Sequence, residues 1–268
     1  MSDRPTVDNE TAEPKAPNDG LLMLYPLWQW LVLIPLAVLF TIFAAPVAIV
    51  MCLLGYKRAA NRHIAANWAR FIAQLTPLQI TVEGLENIQP GQSYVVVSNH
   101  QSQYDIPLIY GYSGLDLRWV MKAEIGFIPF VAQGCRALGH VFIDRGDPDQ
   151  ARAAINLAVA NLPDGTGILF FPEGTRSRSG ELMKFRKGAF RVAVDRQLPI
   201  LPMTVIGTRD RMASDSFRIV PGPVRLVIHP PLLPPEMTDD TAVERLRQRT
   251  RTIIASAMES NASESTVR

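Results

Sequence analysis

At 268 residues and a formal net charge of +2, the chain can bury one sizeable domain plus an appendage, and its charge gives no argument for a nucleic-acid partner. Two cysteines, Cys52 and Cys135, exclude a disulfide framework and a thiolate metal site, and the four histidines are too scattered for metal-ligand spacing.

Residues 1–19 are polar and acidic and are interrupted by Pro5, Pro14 and Pro17, which predicts a disordered tail. Residues 20–56 then contain no charged side chain. That run is longer than the ~20 residues a helix needs to cross a bilayer, so it reads as a membrane-embedded segment. Pro26, Pro35 and Pro46 each remove a backbone donor within it. One long tilted span fits, and so does a re-entrant two-helix hairpin broken near Pro35. A cleaved signal peptide does not fit an acidic start and so long a run. Residues 57–76 form a basic amphipathic helix, with Lys57, Arg58, Arg62 and Arg70 among Ile64, Trp68, Phe71 and Leu75. Such a helix packs on the domain or lies on anionic headgroups. Basic residues directly after an apolar run mark the cytoplasmic side, so the body of the chain is expected on the cytoplasmic face of a cell inner membrane.

From 77 to 258 short apolar runs alternate with helical patterns. Strands are predicted at 78–82, 94–98, 117–121, 141–144, 167–171, 200–206 and 224–229, and helices at 105–112, 148–161, 187–196 and 239–258. Alternation of this kind implies an α/β fold, a layered sheet with flanking helices. Residues 259–268 read as a second disordered tail.

Chemistry concentrates just after predicted strands. Tyr94–Ser98 runs into Asn99-His100-Gln101-Ser102-Gln103-Tyr104-Asp105. An imidazole can take and return a proton near neutral pH, and a carboxylate on its other ring nitrogen fixes the tautomer. Residues five apart do not share a helix face, so His100 and Asp105 meet only if the chain turns between them. With no protein nucleophile beside them, the pair suits attack by a substrate hydroxyl. A second strand end delivers Asp144 and Arg145, whose guanidinium suits phosphate. A third run, Phe170-Phe171-Pro172, ends in Glu173-Gly174-Thr175-Arg176-Ser177. Gly174 permits close backbone approach, Thr175 and Ser177 can bind an anion, Arg176 can pair with phosphate, and Glu173 needs a partner, for which an arginine is the obvious candidate. Lys184, Arg186 and Lys187 lead into a helix near Gly188 and read equally as anion ligands or a solvated face. Pro199 and Pro202 flank the entry of a further strand.

These blocks resemble the 1-acyl-glycerol-3-phosphate acyltransferase family. Asn99 to Asp105 is similar to its Asn-His-x4-Asp block, Gly139 to Arg145 to Gly-x-x-Phe-Ile-Asp-Arg, Phe171 to Ser177 to Phe-Pro-Glu-Gly-Thr-Arg-Ser, and Pro199 to Pro202 to its proline-flanked strand. Lys122 to Pro129 is similar to a further Lys-x-Glu segment. The resemblance covers roughly 77–230 and implies the glycerolipid acyltransferase fold.

It further implies a lysophosphatidate acceptor, an acyl thioester donor, and no cofactor or metal beyond acyl-coenzyme A or acyl-acyl-carrier protein as cosubstrate. His100 would act as the base and Asp105 as its orienter. Arg145, Arg176 and Lys122 would hold the phosphate, with Glu173, Gly174 and Thr175 completing the substrate site. The acyl chain would lie near Phe127, Phe130 and Phe142. Membrane lipid and acyl-carrier protein are the expected partners. Related acyltransferases acting on other lysophospholipids or on lyso-ornithine lipids carry the same blocks. A non-catalytic lipid binder would not need the His-Asp pair, and no Gly-x-Ser-x-Gly elbow supports a serine hydrolase.

Overall fold

The computed structural model describes residues 25–266 apart from 145 and 237, with backbone alone at 148 and 261–266. The expected tail at 1–19 and Arg145 lie outside the described residues.

The apolar segment is one helix, α1, Tyr25–Leu53. It passes Pro35 without breaking. A π-helical stretch, Gln29–Leu33, precedes the proline, and Ile34 N–H reaches back five residues to the Gln29 carbonyl, so the wider turn absorbs the missing donor. The reversal comes later, at 54–56, where Gly55 takes φ +87°. The next helix, α2, is built from Lys57–Ala59, a π-helical Ala60–Ala65 and Ala66–Leu75. It returns along α1. Trp68 Nε1 donates to Thr41 Oγ1 at 2.8 Å, and the Phe40 and Phe71 rings lie 4.5 Å apart. Both ends of α1 touch the globular body. Near its start, Gln29 donates to the Phe217 carbonyl at 2.6 Å and accepts from Ile219 N at 3.0 Å. Near its end, Ala48 packs against Ala60 and Leu138.

Seven strands form one sheet: β1 Leu78–Glu83, β2 Tyr94–Ser98, β3 Asp116–Lys122, β4 Val141–Ile143, β5 Thr166–Phe170, β6 Ile200–Ile206 and β7 Gly222–Ile228. Their order is β1-β7-β6-β2-β5-β3-β4. The five from β6 to β4 are parallel; β7 is antiparallel to β6, and β1 is parallel to β7. All residues of β2, β5 and β6 are buried, as their Val, Ile and Leu content requires of strands covered on both faces. The remaining helices of eight or more residues are α3 Asp105–Tyr112, α4 Val131–Leu138, α5 Pro148–Ala160, α6 Gly188–Asp195 and α7 Asp240–Thr266. One face of the sheet packs Val95, Val97 and Ile168 against Ile155, Phe190 and Val243 of α5, α6 and α7. The other packs Val96, Leu169 and Leu201 against Ala66 and Ala69 of α2 and Leu108 and Ile109 of α3.

Two helices differ from the sequence reading. Helix α4, eight residues with an internal glycine, was not foreseen. That glycine, Gly134, faces α1, where an added Cβ would lie in ordinary contact with Ala45 Cβ at 3.4 Å. Helix α7 runs to Thr266, through most of the stretch read as a tail at 259–268. No glycine or proline interrupts it, and Ser256 and Ser260 bond back to carbonyls four residues earlier at 3.0 and 2.8 Å.

Candidate active site

The parallel strands deliver their loops to one edge of the sheet, the place where open α/β sheets bind ligands. Val97 of β2 lies opposite Phe170 of β5, so three residues further on His100 and Glu173 leave the sheet at the same level. Asn99 pins the first loop: its carboxamide accepts from Val205 N and donates to Val205 O, both at 2.8 Å, bridging the loop after β2 to β6.

The chain turns sharply after Asn99 and starts α3 at Asp105, which brings Asp105 Oδ2 to 2.7 Å from His100 Nδ1. Asp105 is fully buried. The same oxygen accepts from Gln101 N at 2.7 Å and Ser102 N at 2.9 Å, and Oδ1 accepts from Thr208 Oγ1 at 2.5 Å. Four donors therefore offset the burial of one carboxylate. An ionised carboxylate only accepts, so it keeps the proton on Nδ1 and leaves Nε2 as the acceptor facing outward. The imidazole is 13% exposed and stacks on Phe171, with centroids 4.0 Å apart.

Glu173 does something other than pair with an arginine. Its Oε1 accepts from His100 N at 2.7 Å and its Oε2 from Met183 N at 2.9 Å. Ser177 N donates to the His100 carbonyl at 2.8 Å, so the 173–177 loop grips the main chain of His100 on both sides. Burial pushes the Glu173 carboxyl up to about 7. The two amides and the Arg251 charge oppose that rise, and Asp105 adds to it. Gly174 sits at φ +79°, and a Cβ there would stand 2.6 Å from Arg186 Nε, so only glycine lets that guanidinium lie over the loop. Thr175 is exposed. Arg176 is half-buried, and its Nη1 is buried with no hydrogen-bond partner among the described residues. Lys122 ends β3, the next strand over, with its Nζ 2.6 Å from Glu124 and its side chain 51% exposed.

Residues 79–206 match the acyltransferase family. A 1-acyl-sn-glycerol-3-phosphate acyltransferase of Chlamydomonas reinhardtii is 32% identical over 224 residues, covering 82% of this chain and 65% of the relative. A chloroplastic 1-acyl-sn-glycerol-3-phosphate acyltransferase of Arabidopsis thaliana is 36% identical over 179 residues, covering 66% of this chain and 50% of the relative. The crystal structure of PlsC, a 1-acyl-sn-glycerophosphate acyltransferase from Thermotoga maritima, matches with a TM-score of 0.68 at 28% identity, covering 85% of this chain and 95% of that one. The chain is similar to the 1-acyl-sn-glycerol-3-phosphate acyltransferases in both sequence and fold. It spans about half to two thirds of the length of the first two relatives.

The structure also has an apolar cavity, of about 100 Å³, between α1, α2, α4 and the sheet. Its walls include Thr41, Ala44, Ala45, Trp68 and Phe130, and Ile106, the neighbour of Asp105, lines it too. His140 closes another side; burial, with the Arg118 charge, drives its imidazole down to about 3, so it stays neutral. Of the three phenylalanines expected around the acyl chain, only Phe130 lines this cavity. Phe142 lies beneath Arg136, whose guanidinium carbon is 5.2 Å from the ring centroid, and Phe127 projects away from the protein. The sequence reading also missed Thr208 and Phe171 as supports of the pair. Phe171 stood within a quoted block, but nothing in its type announces a ring stacked on His100. Thr208 is 103 residues from Asp105 and carries no local signal.

Proposed function

We propose that this protein transfers a fatty acyl group from an acyl thioester to the free glycerol hydroxyl of 1-acyl-glycerol-3-phosphate, forming phosphatidate. The observation that carries this reading is the His100–Asp105 pair, held from both sides and with Nε2 left to accept a proton. In this mechanism the acceptor hydroxyl attacks the thioester carbonyl as His100 Nε2 takes its proton. The tetrahedral oxyanion collapses, the carbon–sulfur bond breaks, and the thiolate leaves with the proton from His100. The thiolate is a good enough leaving group to need no metal. Asp105 stabilises the imidazolium between the two steps.

The acceptor phosphate is assigned to Arg176, whose buried Nη1 lacks a partner among the described residues, with Lys122 and Arg145 as further cations. The thioester donor, as acyl-coenzyme A or acyl-acyl-carrier protein, is a cosubstrate. The acyl chain is assigned to the cavity beside Ile106. Helix α1 is long and apolar enough to cross a membrane, and only 6% of its most apolar stretch is buried within the protein. Because both of its ends dock on the same globular body, we place α1 along one face of an inner membrane with the domain on the cytoplasmic side.

Replacing Arg176 tests the acceptor assignment. Arg176→Gln should raise KM for lysophosphatidate about ten- to hundredfold while leaving KM for the acyl donor near its starting value. An unchanged KM for lysophosphatidate would remove Arg176 from the phosphate site and favour a lysolipid without a phosphate monoester.

A further inference from the structure

Between β3 and α4 the chain exposes four consecutive apolar residues, Phe127-Ile128-Pro129-Phe130. Phe127 is 85% exposed, Ile128 49% and Phe130 44%. No charged residue occurs from 125 to 135. Phe130 takes φ +63° and ψ −46°, and Val131 N donates to the Pro129 carbonyl at 2.7 Å, which together make a three-residue γ-turn of the strained hand. Bulky residues rarely accept that conformation, and such strain collects where a segment has work to do.

The position of this loop states its environment. Phe130 and Val131 share the walls of the apolar cavity with Thr41, Ala44 and Ala45, so the loop lies beside the middle of α1. Along that stretch α1 exposes Val38, Leu39, Phe43 and Val47 to its surroundings. The loop therefore extends the apolar face of α1 and does not form a separate patch. The ion pair of Lys122 and Glu124 precedes it, and Arg136, on α4, donates to the Gly126 carbonyl at 3.2 Å. An uncharged apolar tip continuous with the apolar face of α1, with Arg136 at its base, matches a bilayer, hydrocarbon inside and phosphate at the rim.

We propose that the Phe127–Phe130 loop inserts into the lipid leaflet and lets lysophosphatidate pass from the bilayer to the site without crossing water. This rests on the membrane reading of α1. It assigns Phe127 to lipid contact and Phe130 to the boundary between lipid and cavity.

Tryptophan fluorescence tests it in the full chain on vesicles whose phospholipids carry brominated acyl chains. The signal of Phe127→Trp, after subtraction of the parent protein, should shift to the blue and fall at least twofold. Leu233→Trp serves as the comparison: Leu233 is 75% exposed, and its neighbour Leu232 packs on the opposite face of the sheet, against the α5–α7 core. Its signal should not change. If the protein sediments with the vesicles while the Phe127→Trp signal stays as unquenched as that of Leu233→Trp, the insertion is wrong and the anchoring by α1 stands. If the protein does not sediment, both are wrong. Phe127→Ser should raise KM for vesicle-borne lysophosphatidate severalfold more than KM for the detergent-dispersed substrate; equal effects would remove the loop from the acceptor's path.

Discussion

Asp105 receives four hydrogen bonds, and only one of them comes from His100. An amide at this position would set an NH₂ group against amide N–H donors or against the ring, favouring the wrong imidazole tautomer. Asp105→Asn should therefore lower kcat by about 10³- to 10⁴-fold, the magnitude known for such a change in a Ser-His-Asp triad, with little effect on KM. A loss below tenfold would show that the carboxylate does not set the tautomer. Glu173 is the second test at this scale. Both of its oxygens accept backbone amides, which a glutamine cannot reproduce. Glu173→Gln should cost about ten- to a hundredfold in kcat/KM, because one buried amide is left facing a donor.

Its raised pKa also gives a sign for stability. The folded protein binds this proton more tightly than the unfolded chain, so the Glu173 contribution to stability is present below the usual value of 4.5 and is lost as pH rises through about 7. The gap in unfolding midpoint between the parent and Glu173→Gln should drift against the parent from about pH 5 to about pH 8. A constant gap would show that Glu173 does not titrate in that window. The pairing of His100 with Asp105 was legible from residue type and from position after a strand. The role of Glu173 was not, because a main-chain partner leaves no mark in the sequence.

At the scale of elements, α7 reaches the site without touching His100. Arg251 donates to the Leu182 carbonyl at 3.0 Å and Arg247 to the Phe185 carbonyl at 2.8 Å. Between these, Met183 N holds Glu173, and Arg186 N donates to the Pro172 carbonyl at 2.8 Å. Residues 182–186 are thus a strap fixed by α7 on one side and by the Glu173 loop on the other. Arg251→Met removes the grip and the charge that opposes protonation of Glu173. Activity near neutral pH should fall severalfold and recover in part at alkaline pH, and Arg251→Lys should retain more of it. A uniform loss at every pH would mean that α7 acts on the fold alone. The cavity gives a second prediction. Ala44→Phe places a ring in a space of about 100 Å³ and should shift preference toward shorter acyl donors, read as kcat/KM across a chain-length series. Strands and long helices were legible because β-branched runs and apolar stripes repeat over many residues. Helix α4 was not, and it forms part of the cavity wall.

Over the whole molecule, α1 and α2 form a wall of the domain as well as the anchor proposed above. Ala66 and Ala69 belong to a buried cluster with Leu108 and Ile109, Arg70 Nε donates to the Gly111 carbonyl at 2.6 Å, and Ala48 packs on Leu138. A chain cut back to Pro77 should lose that wall, aggregate, and show poor activity on vesicle-borne substrate; a soluble, fully active fragment would contradict both roles. The apolar run announced α1 plainly. Its lie on the domain could not be read from the run, because it depends on Gln29 meeting residues 217 and 219, nearly two hundred positions away. The site is in the same position: its chemistry is local, while its geometry comes from strand register and from loops distant in the chain.

The most direct measurement supplies membranes containing the protein with labelled acyl thioester and lysophosphatidate, and compares the parent chain with His100→Ala at matched expression. Labelled phosphatidate should form with the parent and be lost with His100→Ala. Equal product from both would exclude His100 as the base and contradict the mechanism. No product from either would contradict the assigned acceptor.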